Sequence, residues 1–103
     1  MHATWGNRSS FDYVGSIETG TEITFGNGRV RAVSAQQYSA LRKQFLNQVV
    51  AVGTSRTAPP NDSIGNWLQS NVTKTAIASY VAPILVREGY AERVGTRDIR
   101  IIK

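Results

Sequence analysis

The hydrophobic period of this chain changes at Ser34, and that change limits what it can fold into. Before Ser34 the apolar residues alternate. In "EITF" Ile23 and Phe25 fall on one side, Glu22 and Thr24 on the other, as in a half-buried strand. "GNG" follows, and Asn-Gly is the strongest short hairpin signal because both residues tolerate positive φ. "RVRAV" then resumes the alternation, and "FDYVGSI" upstream can supply a third strand, so residues 11–33 are expected to be strands. At Ser34 the period becomes helical. "SAQQ" is a capping box, in which Ser34 accepts from the Gln37 N–H while the Gln37 side chain reaches back. Tyr38, Leu41, Phe45, Val49 and Val52 recur at helical spacing, which predicts a first helix over 34–52, stopped by Gly53.

"GTSRTAPPND" reads as a loop, since Pro59 and Pro60 cannot both sit inside regular structure. Asp62 or Ser63 caps a second helix over 63–71, with Ile64, Trp67 and Leu68 on one face. A third helix is expected over 73–88, with Ile77, Ala78, Val81, Ile84 and Leu85 as an inward stripe. Only Asn71 and Val72 would then separate the last two helices, forcing a sharp crossing. After Gly89, "YAERV" and "RDIRII" about Gly95-Thr96 read as a hairpin over 90–102. Residues 1–10 read as a flexible segment in which Trp5 stands alone among small and polar neighbours. The expectation is one α+β domain over 11–103, with Tyr38, Leu41, Phe45, Trp67, Leu68, Ile77, Val81 and Leu85 in one core.

Composition narrows the function classes. At 103 residues, 41% hydrophobic and 18% charged, the chain has room for one core. No apolar run approaches the ~20 residues of a membrane span, and the first residues carry no apolar signal core, so a cytoplasmic protein is expected. The absence of cysteine removes disulfides, thiol catalysis and thiolate metal sites. No residue cluster has metal-ligand spacing, the one histidine is His2, and "GNGR" does not open a helix after a strand. A non-enzyme without metal or cofactor is the expectation. The formal charge of +5 is uneven: residues 1–33 balance, whereas residues 34–103 hold nine Lys/Arg against Asp62, Glu88, Glu92 and Asp98. A basic half suits a polyanionic partner.

The order of short helix, turn, longer helix, Gly-Tyr and basic hairpin is carried by "SIGNWLQSNVTKTAIASYVAPILVREGYAERVGTRDIRI". This stretch, residues 63–103 and more loosely from Ser34, resembles the winged helix-turn-helix family, here with additional N-terminal β-strands. The resemblance implies a small DNA-binding protein, a transcriptional regulator or mobile-element accessory protein. In that family the third helix enters the major groove of double-stranded DNA while the wing touches the backbone or minor groove. It implies Lys74, Thr75, Ser79 and Tyr80 as groove-facing, with Arg87 on the same polar face and Arg93 and Arg97 on the wing. Two features depart from the pattern. Pro83 lies inside the third helix and removes a hydrogen bond, and the neighbouring Ala76 and Ala78 offer no bidentate base contact. A homodimer is expected, because one winged helix reads a short site. The alternative is a winged helix used for protein–protein association, without DNA.

Overall fold

The computed structural model describes all 103 residues and shows a mixed α+β chain with three helices and two antiparallel sheets. The first sheet contains β1 (His2–Ala3), β2 (Ser10–Ser16), β3 (Gly20–Phe25) and β4 (Arg29–Val33), in that order. Then come α1 (Ala35–Phe45), β5 (Val49–Ala51), α2 (Ile64–Asn71) and α3 (Ala78–Arg87). A hairpin of β6 (Ala91–Val94) and β7 (Asp98–Ile101) closes the chain, and the second sheet has the order β5-β7-β6.

The alternation read from the sequence holds in the first sheet. Cross-strand partners Phe11–Phe25 and Tyr13–Ile23 share its inner face, while Asp12, Glu22 and Thr24 point outward and are exposed. The capping box at Ser34 is present, with Ser34 Oγ accepting from Gln37 N–H at 3.0 Å and Gln37 Oε1 accepting from Ser34 N–H at 2.9 Å. The expected core is connected: all eight of its residues lie in or against a single cluster of 21 buried side chains, Trp67 at its half-buried margin. That cluster draws on both sheets and all three helices, so the first sheet is part of the same packing unit as the rest.

Three expectations are corrected. The first helix does not reach residue 52. It ends at Phe45, Asn47 turns the chain with φ of 61°, and Val49–Ala51 pairs with Asp98–Arg100 as a strand. Asn tolerates this left-handed conformation, and three β-branched valines within 49–52 suit a strand edge. Val49, which a continued helix would bury, is instead 45% exposed.

The third helix starts at Ala78 rather than Thr73, so six residues separate it from α2. Thr73 Oγ1 accepts from the Thr75 N–H at 3.3 Å, a local bond that competes with helical pairing. Gly53 does not stop a helix; it lies just after β5 with φ of 73°, and a Cβ on the facing Gly65 would come within 1.8 Å of the Gly53 carbonyl. Only glycine allows α2 to approach that closely, and the approach gives the Gly65 N–H its bond to Val52 O at 2.8 Å.

The third correction concerns residues 1–10. His2–Ala3 pairs with Ser10–Phe11, and Trp5 is only 5% exposed. The Trp5 N–H donates to Ser79 O at 2.9 Å, and its indole N–H donates to Thr96 O at 2.9 Å. Pro83 explains the first bond. A helical carbonyl at position 79 would ordinarily accept from the N–H of residue 83, and proline has none. The carbonyl left over is the one Trp5 takes.

Two predictions follow from this packing. Trp5→Ala should lower the free energy of unfolding by about 3 kcal/mol, the usual cost of emptying a buried tryptophan site, as read from urea denaturation. A flexible N-terminus would lose nothing measurable.

The second concerns Tyr38, whose buried hydroxyl lies 2.7 Å from Thr21 Oγ1. Burial pushes its ionisation well above the ordinary value near 10.0, a shift that the Thr21 bond opposes. The unfolded chain loses that proton as pH passes about 10 and the folded one retains it, so this contribution is intact below pH ~10 and is lost above it. The urea midpoint should therefore fall on alkaline titration, and less steeply in Tyr38→Phe.

Candidate nucleic-acid interface

Where the inner face of the first sheet runs out of apolar residues, charge takes over. On β4 the alternation that buries Val33 also turns Arg31 and Arg29 to the inner face, opposite Ile23 and Phe25. Arg31 donates through Nε to Thr75 Oγ1 at 3.1 Å, tying β4 to the loop that precedes α3. The Arg29 guanidinium lies 5.4 Å from the centre of the Phe25 ring. Phe25 in turn stacks on Tyr80 of α3, with ring centres 4.5 Å apart and planes 24° apart. The sheet therefore leans on the start of α3 through an aromatic contact and carries its arginines to the rim.

A groove of about 830 Å³ opens at this rim. It is lined by the β3–β4 turn, the start of β2, Arg56 from the loop after β5, Lys74, Thr75 and Ala76 before α3, and the half-buried Tyr80. A second cleft of about 460 Å³ continues it toward the C-terminal hairpin, and the two share Ser9, Arg56, Ala76 and Tyr80. Arg8, Thr54, Ser79 and Thr96 line this extension. Four cationic side chains, Arg8, Arg29, Arg56 and Lys74, thus line one continuous depression, and no carboxylate lines it. None of the four takes part in an ion pair: the two in the chain join Met1 to Asp12 and Arg100 to Glu92. Unpaired charges of one sign around a concave surface focus a positive potential there.

The structure brings together four of the seven residues expected from the sequence. Lys74, Thr75, Ser79 and Tyr80 all line the depression, but not as an exposed helical face. Lys74 and Thr75 are on the preceding loop, the Ser79 carbonyl is bonded to Trp5, and Tyr80 is half-buried against Phe25 and Phe11. The other three are elsewhere. Arg87 borders a smaller cleft of about 300 Å³ beside His2, Tyr13 and Pro83. There the ionisation of His2 is pulled below its ordinary value first by desolvation and then by the Arg87 and N-terminal charges.

Arg93 is engaged within the chain. Its guanidinium sits 3.7 Å from the centre of the Trp5 ring, and Nη2 donates to Trp5 O at 2.8 Å. Arg97 is exposed at the hairpin turn, outside both clefts. Sequence reasoning missed Arg8, Arg29 and Arg56. Counting charge along the chain cancelled Arg8, Arg29 and Arg31 against Asp12, Glu18 and Glu22, although strand alternation places Arg29 and Glu22 on opposite faces. That alternation was the available signal for Arg29; nothing local marks Arg56.

Comparison with protein-family models, with curated proteins and with solved structures returned no match. The site is therefore read from its own geometry.

Arg93 and Lys74 should separate under substitution. Arg93→Ala should cost about 1 kcal/mol of stability in urea, because a cation–aromatic contact on the buried Trp5 ring and a hydrogen bond are lost together. Lys74→Ala, an exposed side chain without an ion-pair partner, should leave the urea midpoint within experimental error.

Proposed function

We propose that this protein is a small DNA-binding module, a regulator or mobile-element accessory protein, that holds a phosphate backbone in the basic groove at the start of α3. The observation that carries this reading is the set of four unpaired cations around one open groove with no carboxylate on its lining. Phosphates are bound by Lys and Arg heads without any need for sequence-reading geometry, which agrees with the shortage of bidentate base readers near Ala76 and Ala78. The chain order from α1 to β7, with β7 between β5 and β6, supports a winged helix as the underlying fold. The N-terminal sheet packs into the same core, and it moves the basic surface from an exposed helix to a cleft.

A second reading has one observation in its favour. Val14 and Val30 are 67% and 45% exposed on the outer face of the first sheet, which gives self-association a surface. In that reading the protein is a dimerisation or docking module and its basic groove serves solubility.

Electrophoretic titration of labelled mixed-sequence DNA at low and moderate salt separates the two. Binding should weaken steeply with salt, and the double variant Arg56→Ala, Lys74→Ala should lose affinity for every sequence by a similar factor. The slope of log affinity against log salt should fall by roughly 1 for each contact removed. The association reading predicts no DNA affinity, and a dimer by sedimentation at micromolar concentration.

A further inference from the structure

The shape of the groove says which form of DNA it can take. Of the ten residues of α3, only Arg87 is exposed; five are buried in the core, and Ser79, Tyr80, Pro83 and Val86 are half-buried. The helix expected to read DNA therefore does not stand clear of the surface to enter a major groove, which is how a helix reads a duplex. The basic surface is instead concave, walled by the β3–β4 turn on one side and by the 54–56 loop and hairpin turn on the other. A duplex is a convex rod and meets only the rim of such a cleft. A single strand is thin and flexible enough to lie along its floor.

The floor has the chemistry of unpaired bases. Tyr80 lines both halves of the depression and is held in place by its stack on Phe25 and its tilted contact with Phe11, centres 5.3 Å apart. Its hydroxyl has no partner within the chain. It is also not sealed in, because every buried side-chain polar atom is hydrogen-bonded. Around it stand short uncharged groups, Ser9, Asn27, Thr54 and Thr75, which can donate or accept without a fixed base code. Aromatic floor, short polar walls and cationic rims are what sequence-tolerant single-strand binding requires.

We propose that the groove binds single-stranded DNA, its phosphates against Arg29, Arg56 and Lys74 and its bases on the aromatic floor made by Tyr80. This rests on the DNA-binding reading above and narrows it. The test is fluorescence anisotropy with one labelled oligonucleotide, presented to the whole protein as a single strand and as a duplex at the same salt.

The single strand should bind at least tenfold more tightly than the duplex, and a thymine-only strand nearly as well as a mixed one. Tyr80→Leu should weaken the single strand at least about fivefold, the low end of the cost of losing one base–aromatic stack, and Tyr80→Phe should restore it. Equal or tighter duplex binding overturns the single-strand proposal and leaves the DNA reading standing. Binding of neither form overturns both. Should Tyr80→Leu fail to fold, the comparison of strand and duplex on the parent protein still decides; a folded Tyr80→Leu protein with undiminished single-strand affinity removes the proposed floor.

Discussion

Pro83 takes one hydrogen bond out of α3, and the carbonyl it leaves at Ser79 is where the N-terminal segment attaches. A carbonyl deprived of its helical donor takes another where one is within reach, and the buried Trp5 supplies it. Once Trp5 is bonded there, its indole reaches the hairpin turn at Thr96 and its ring lies under Arg93. A helix defect, the N-terminus and the C-terminal hairpin are thereby joined at one residue.

The opposite end of α3 is tied in the same direction. Glu88 accepts from the Tyr13 hydroxyl at 2.7 Å and from the Ile17 N–H at 2.9 Å, so one carboxylate holds the turn after β2 against the helix end. That hydrogen bond and burial also raise the ionisation of Tyr13, burial contributing most. With both ends fastened, the first sheet lies along α3 and cannot be regarded as an ornament on a smaller fold. Its position turns the surface of the helix from a face into the floor of a cleft. The charge distribution follows: strand alternation sends Asp12 and Glu22 outward and Arg29 and Arg31 inward, so a neutral segment becomes two-sided.

Much of the architecture was legible because it depends on local periodicity and capping. The capping box at Ser34, the alternation of 22–25 and the apolar stripe Ile77, Val81 and Leu85 each show up as expected. The two misplaced helix ends have a common cause. At Val49–Ala51 and at Thr73–Thr75, β-branched residues fit the helical period but have a better partner elsewhere, β7 in one case and a local threonine bond in the other. Periodicity counts which face a residue would take in a helix and is silent about competing partners. For the candidate site the outcome is similar: residues 74–80 were identifiable from their place near the third helix, while Arg93 shows that a basic residue in a hairpin can be occupied by an aromatic ring 88 positions away.

The sequence by itself determined the two kinds of segment, the switch between them at Ser34, the helical members of the core and the excess of positive charge. These are properties of short windows, in which side-chain spacing alone sets the face and the cap sets the start. Tertiary structure decided where the helices stop, that Trp5 belongs to the core, and that Arg8, Arg29, Arg56 and Lys74 share one groove. Those outcomes depend on contacts between residues far apart in the chain, and on a freed carbonyl whose partner lies 74 residues before it, from Trp5 to Ser79. No local pattern encodes such a partner, because the bond forms only when both surfaces have already been brought together by the burial of the core.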